Sequence, residues 1–175
     1  MHDVARFAPA GAIADRLVAL AGLVDGTFVD AMAIHARGLA DDDATLLDKA
    51  AREFSEMTLD LFAAEASLAA ARLHREAGRR ASAFAALERA RALAARGDVA
   101  HTPTLPWADE PEDLTPRERE IADLAAGNLP SREIAERLGI TTRTVDNLLG
   151  RVYAKVGVSG RQELADLLGT FTAQP

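Results

Sequence analysis

The chain has 175 residues, 49% of them hydrophobic and 27% charged, which is enough for one ordinary domain or two small ones with a real core. The absence of cysteine excludes disulfides, thiol nucleophiles and thiolate metal sites. No apolar run approaches the roughly 18 residues of a membrane span, and the first residues lack the basic flank of a signal peptide. We therefore expect a cytoplasmic protein without a membrane partner.

The net charge of −7 is unevenly distributed along the chain. Residues 1–113 contain 12 Lys or Arg and 19 Asp or Glu, whereas residues 114–175 contain eight of each. The acidity thus belongs to the first part, and a neutral C-terminal part can still bind DNA if its cations share one face. We expect no metal site and no cofactor, because the four histidines are scattered rather than spaced as ligands: His2, His35, His74 and His101.

Short amphipathic helices are predicted over the first hundred residues, because apolar residues recur at spacings of three and four. Thr27 is a predicted cap of the second helix, and Asp41 to Asp43 offer a cap to the third. The Ala-rich helices that follow favour close packing, without a clean repeat of about 34 residues. For residues 1–97 we predict a helical bundle or a short solenoid like tetratricopeptide repeats. The predicted helix ends are glycines: Gly26, Gly38, Gly78 and Gly97.

Residues 98–113 are predicted to form a linker. Pro103, Pro106 and Pro111 forbid a continuous helix, and four acidic side chains keep the segment solvated. We expect Trp107, the only tryptophan, to pack this linker against a neighbouring helix rather than to contact a ligand.

Residues 114–170 are predicted to be a separate domain of four helices. Its first helix begins with Thr115 as N-cap, Pro116 at the first helical position and Glu118 three residues after the cap, which predicts a capping box. Gly127 and Asn128 end this helix. Ser159 with Gln162 predicts a second capping box, for the last helix.

A short helix, a turn and a longer helix follow in the middle of this domain. The short helix covers Ser131 to Leu138, Gly139 forms the turn, and Thr141 caps the longer helix. One side of the longer helix is an apolar stripe of Val145, Leu148, Leu149, Val152 and Val156. Its opposite side is polar and slim, which predicts a helix-turn-helix whose second helix enters a major groove.

The chemistry of the polar side fits double-stranded DNA. Arg143 and Arg151 can donate to guanine edges or phosphates, and Asn147 can pair with adenine. The small residues Gly150 and Ala154 let the backbone come close to the groove. Phosphate contacts are expected from Ser131, Arg132 and Lys155. The candidate DNA-binding residues are Ser131, Arg132, Thr142, Arg143, Asp146, Asn147, Gly150, Arg151 and Lys155.

Three roles remain open for Asp146. Its carboxylate can accept from a cytosine amino group, repel phosphate, or pair with Arg143 or Arg151.

Four segments resemble the LuxR/GerE family of DNA-binding domains: LTPRERE at 114–120, SREIAERL at 131–138, TVDN at 144–147 and RVYAKVGV at 151–158. The resemblance covers about a third of the chain. It implies a four-helix domain whose third helix reads DNA, whose fourth supports dimerisation, and which binds inverted half-sites as a homodimer. Two residues depart from the family pattern: Leu148 replaces a common His, and Pro130 replaces a capping Ser, leaving Ser131 to cap one position later.

The upstream helices resemble the tail of large MalT-like regulators, in which an ATPase and a helical repeat region precede the same domain. The resemblance rests on Leu61 to Ser67, on Arg75 to Gly78 and on the run to Pro103. The chain has no Gly-x-x-x-x-Gly-Lys phosphate loop, so we expect either a truncated relative or a fragment of a longer regulator.

Two functional hypotheses follow. The first is a sequence-specific transcription regulator whose N-terminal helices receive a protein partner. The second is a protein-interaction module that has lost DNA binding and titrates another regulator. An enzyme is not expected, because the sequence has no nucleophile elbow, no phosphate loop and no clustered carboxylate–histidine set.

Overall fold

The computed structural model describes residues 11–23, 26–96 and 114–172. These residues form nine α-helices and no strand, which confirms the all-α prediction. None of the nine is long and apolar enough to cross a membrane. The helices are α1 Gly11–Ala21, α2 Thr27–Ala40, α3 Ala44–Glu56, α4 Asp60–Glu76, α5 Arg80–Arg96, α6 Pro116–Ala126, α7 Ser131–Leu138, α8 Thr142–Val156 and α9 Arg161–Thr172.

The helices group into two compact units. The first unit holds α1 to α4 and α5 from Ala86 onward, and the second holds Arg79–Ala85 and the helices α6 to α9. The domain boundaries 1–97, 98–113 and 114–170 stay predictions, as does the TPR-like character of the first segment. The predicted linker, Trp107, His2 and His101 lie outside the described residues.

Alanines dominate the core of the first unit. Ala63, Ala64, Ala66, Ala70 and Ala71 of α4 are all fully buried. Larger side chains fill the space that these small residues leave, above all Leu47 and Phe54 of α3, both 0% exposed. Because an alanine adds little beyond the backbone, helices that meet through alanines approach closely.

Only one of the two predicted caps in this unit forms. The Asp43 carboxylate accepts from the backbone N–H groups of Thr45 and Leu46, which confirms an N-cap for α3. Thr27 is instead the first residue of α2, and Gly26 takes the cap position without a side-chain hydrogen bond. The prediction for Thr27 is therefore wrong by one position.

Two predicted helix ends in this unit are also wrong. α1 ends at Ala21 rather than near Gly26, and α2 passes through Gly38 to Ala40. A Cβ at Gly38 would lie 2.9 Å from the Leu47 side chain. This glycine therefore marks a close approach of two helices, which sequence alone does not distinguish from a helix end.

A partly buried polar network links α3, α4 and α5 within the first unit. Asp48 Oδ2 lies 2.7 Å from His74 Nε2, and Arg89 Nη2 donates to Asp48 Oδ1 over 2.5 Å. Arg89 Nε also donates to Ser67 Oγ over 3.0 Å. His74 thus has a structural partner. Within the described ranges, no group of His, Cys, Asp or Glu side chains could hold a metal ion.

The predicted capping box forms at the start of α6 in the second unit. The Glu118 backbone N–H donates to Thr115 Oγ1 over 3.3 Å, and the Thr115 N–H donates to Glu118 Oε2 over 2.8 Å. Pro116 occupies the first turn, which its fixed φ favours. After α6, Asn128 takes a left-handed φ of 65°. The prediction for the start and end of this helix is confirmed.

The capping box predicted for the last helix does not form. The Ser159 N–H donates to Glu163 Oε2 over 2.7 Å, and Gln162 Nε2 donates to Asp166 over 3.1 Å. Because α9 begins at Arg161, its third residue is Glu163, and the Glu163 side chain rather than that of Gln162 reaches back to the chain before the helix.

Candidate nucleic-acid interface

The helix-turn-helix arrangement is formed by α7, the turn at Gly139 and α8. Gly139 has φ 65°, the left-handed region that glycine adopts without a steric penalty. The Ile140 N–H donates to the Ala135 carbonyl over 3.0 Å and closes the turn. Thr141 Oγ1 then accepts from the Thr144 N–H over 3.1 Å, so the predicted cap of α8 is confirmed.

The apolar stripe of α8 faces the core of the second unit. Val145, Val152 and Val156 are 0% exposed, and Leu149 is 4% exposed. Leu148 is partly buried and packs against the same core. Because the stripe fixes which way the helix is turned, the opposite side faces outward. Its exposed residues are Thr142, Arg143, Asp146, Asn147, Gly150, Arg151 and Ala154.

This outward side, which we call the α8 face, carries two arginines eight positions apart. Neither Arg143 nor Arg151 has a hydrogen bond or ion pair with another side chain in the described ranges. Their guanidinium groups therefore lose no protein contact when they donate to a base or phosphate. Asp146 has no ion pair with either arginine in the part of the chain that the structure describes, and its roles stay predictions.

Gly150 opens the middle of the α8 face. A Cβ built at this position would meet no heavy atom within 4 Å. Its φ is helical, so glycine is not required by the backbone of α8. What the missing side chain provides is access to the helix backbone from outside.

The two α7 candidates have protein partners. Ser131 is the first residue of α7, with Pro130 as N-cap, so Ser131 does not cap the helix as predicted. Its Oγ lies 3.2 Å from Arg161 Nη2, which donates to it. Arg132 Nε lies 3.1 Å from Glu136 Oε1, in a pair whose side chains are 85% and 67% exposed. Such an exposed pair is weak and yields easily to a phosphate.

Lys155 forms an ion pair with a buried carboxylate of the same unit. Its Nζ donates to Glu118 Oε2 over 2.6 Å, joining α8 to α6. Lys155, together with the Thr115 backbone N–H, holds the pKa of the Glu118 carboxyl below its ordinary value of 4.5, against the opposing effect of burial. The Lys155 side chain is 41% exposed, so its phosphate contact stays a prediction beside this structural role.

Two further arginines contact backbone carbonyls around α7, and the sequence analysis did not identify them. Arg161 Nη1 donates to the carbonyls of Leu129 and, over 3.3 Å, Ala125. Arg117 Nη2 donates to the Leu138 carbonyl over 3.1 Å. These partners are 21 to 36 positions apart in the chain, so no local spacing pattern reveals them.

Comparison with known proteins assigns the helix-turn-helix part of the chain to a family. The sequence model described as bacterial regulatory proteins, luxR family, matches residues 112–168. The spore germination protein GerE of Bacillus subtilis is 41% identical over 56 residues, which are 31% of this chain and 76% of that protein. The HTH-type transcriptional regulator Mb0914c of Mycobacterium bovis is 43% identical over 53 residues, which are 30% of this chain and 6% of that protein.

A third relative is also matched over only part of its length. The tetrathionate response regulatory protein TtrR of Salmonella typhimurium is 43% identical over 53 residues, 30% of this chain and 26% of that protein. The aligned part thus spans only a small share of most of these relatives. No solved structure matches the chain significantly. The resemblance of the upstream helices to MalT-like regulators is not confirmed by these matches and stays a prediction.

The predicted resemblance of the C-terminal domain is confirmed. The matched residues contain the capped α6, the helix-turn-helix of α7 and α8, and most of α9 in the expected order. With three quarters of GerE covered at 41% identity, the chain belongs to the luxR family of bacterial regulatory proteins.

Proposed function

We propose that this chain is a sequence-specific, DNA-binding transcription regulator in which α8 enters the major groove. The observation that carries the proposal is the α8 face: two exposed arginines and Asn147 on a helix whose other side is locked in a core. A helix held in this way presents its donors in a fixed pattern, which is what recognition of base edges requires.

Each candidate has a proposed role. Arg143 and Arg151 donate to guanine edges or phosphates, and Asn147 pairs with adenine. Gly150 lets the backbone approach the groove. Thr142, Ser131, Arg132 and Lys155 contact phosphates and fix the orientation. Asp146 discriminates between DNA sequences, either by accepting a hydrogen bond from a cytosine amino group or by repelling phosphate.

We further propose that two copies bind inverted half-sites in the cytoplasm. The family membership of the domain supports a two-fold arrangement, since two-fold protein symmetry matches palindromic sites. The acidic N-terminal helices then receive a protein partner, because their charge disfavours DNA.

The test is DNA binding by the full chain. A genome-wide map of bound DNA defines the target sequence and shows whether its half-sites are inverted. Fluorescence anisotropy then gives the Kd for target and random DNA at several salt concentrations. We expect Arg143→Ala with Arg151→Ala to weaken target binding by at least tenfold, about 1.4 kcal/mol, and to flatten the salt dependence.

A charge-matched control separates the α8 face from overall charge. Arg52→Ala with Arg72→Ala removes two exposed arginines from the first unit. This control should leave the Kd within about twofold of the original, because it removes the same charge without changing the α8 face. Absent or salt-independent binding by the unaltered chain would favour the other hypothesis, a module that titrates another regulator.

A further inference from the structure

The short helix α7 is held weakly by its own residues. It has eight residues, of which only Ile134 and Ala135 are buried. Its N-cap is Pro130, which offers no side-chain hydrogen bond. A helix of two turns with so small an apolar contact needs other groups to fix its position and direction.

Arg161 supplies such groups at the start of α7. Its guanidinium donates to the carbonyls of Ala125 and Leu129, on both sides of the turn that precedes α7, and to Ser131 Oγ. Ala125 lies in the last turn of α6, where a cation is favourable, and its carbonyl also accepts from the Asn128 N–H over 3.1 Å. One side chain of α9 therefore joins the end of α6 to the first residue of α7.

Arg117 does the same at the other end. Its Nη2 donates over 3.1 Å to the carbonyl of Leu138, the last residue of α7, while its Nη1 lies 2.6 Å from Glu120 Oε2. Both ends of α7 are thus attached by guanidinium groups from the neighbouring helices α6 and α9.

We propose that Arg161, assisted by Arg117, is a positioning residue for DNA recognition. This inference rests on the proposed function. Arg161 holds the first turn of α7 so that the Ser131 hydroxyl donates to a DNA phosphate. Ser131 Oγ accepts from Arg161, so the hydroxyl hydrogen is left to donate outward. The planar fork of arginine reaches these three acceptors together, and a single ammonium group does not.

The experiment compares Arg161→Ala, Arg161→Lys and Gln162→Ala in the full chain. Gln162 is the exposed neighbour and serves as the control. Below the unfolding transition of every variant, we measure the Kd for target DNA against salt, and amide hydrogen exchange. Arg161→Ala should raise the Kd about tenfold and leave the salt slope unchanged, because the lost phosphate contact comes from the uncharged Ser131 hydroxyl and releases no counterion. Amides at the start of α7 should exchange faster, with those of α8 unchanged.

Arg161→Lys separates positioning from direct contact with DNA. A lysine keeps the charge but not the fork, so it should fail to restore the Kd. Full rescue by lysine would overturn the proposal, because it would show Arg161 itself acting as a phosphate-binding cation. An unchanged Kd in Arg161→Ala, a salt slope lowered by about one, or a loss that follows only the unfolded fraction would also overturn it. Failure of the unaltered chain to bind DNA would instead refute the proposed function.

Discussion

The two units solve the same problem, fixing helices in place, by different means. In the first unit, helices of up to 17 residues meet through fully buried alanines around Leu47 and Phe54. In the second, the helices have at most 15 residues, and separate contacts add to the packing of their core: a capping box at Thr115, the Thr141 cap and the contacts of Arg117 and Arg161. Packing along whole helices buries most of their surface. Caps and hydrogen bonds at helix ends instead leave one side of a helix open for contact.

The largest effect is expected in the core of the first unit. Phe54 is fully buried, with the His35 and Phe62 rings at centroid distances of 5.7 and 5.5 Å. Phe54→Ala should lower the free energy of unfolding by about 3–5 kcal/mol, because it leaves a cavity that the surrounding residues fill only in part. Urea denaturation followed by circular dichroism measures this loss. The matched control is Phe28→Ala, which removes a ring that is 41% exposed and should cost about 1 kcal/mol or less. Equal losses would show that burial does not govern this unit.

A smaller, pH-dependent effect is expected at Glu118 in the second unit. Its lowered pKa means that the ionised form stabilises the fold; this contribution is complete above about pH 4.5 and is lost as pH falls through the folded-state pKa. Glu118→Gln should cost about 1 kcal/mol at neutral pH, since solvent screens the half-exposed Lys155. Denaturation at several pH values should show the two proteins converging in acid.

Glu120→Gln is the control for that experiment. Glu120 pairs with Arg117 over 2.6 Å, with both side chains more than 40% exposed. Its replacement should change the free energy of unfolding by a few tenths of a kcal/mol. A constant difference between the Glu118→Gln protein and the original over the acidic range would contradict the assigned role of the Lys155 contact.

The smallest effect separates stability from recognition on the α8 face. Gly150→Ala should raise the free energy of unfolding by about 0.5–1 kcal/mol, because alanine favours a helix and meets no neighbour. It should weaken DNA binding, since the added methyl group stands where the backbone approaches the groove. Thermal unfolding and anisotropy measure the two effects. Gly169→Ala in α9, also with open space at its Cβ, should leave DNA binding unchanged. Equal binding by both variants would remove Gly150 from the interface.

The sequence predicted the parts of the structure that depend on neighbours in the chain. The boundaries of α7, the Thr115–Glu118 box and the Thr141 cap all follow from residues within about four positions of each other. The buried stripe of α8 was predictable for the same reason, because helical periodicity fixes one side.

What could not be predicted depends on contacts between distant residues. Glycine is common at helix ends, so sequence alone predicts that Gly38 ends a helix. Only the position of Leu47 shows that Gly38 instead allows two helices to pack closely. Arg161 and Lys155 look like ordinary surface charges until the fold brings carbonyls and Glu118 next to them. Asp48, His74 and Arg89 meet across 26 and 41 positions.

On the proposed function, the spacing of the two outward arginines limits the length of DNA sequence that one copy recognises. Arg143 and Arg151 are eight residues apart on one helix, about 12 Å along its axis at about 1.5 Å per residue. That length matches only three to four base pairs, given about ten pairs in each 34 Å turn of the duplex. A sequence of three to four base pairs recurs throughout any chromosome. A second such sequence at a fixed distance is what makes a complete binding site rare.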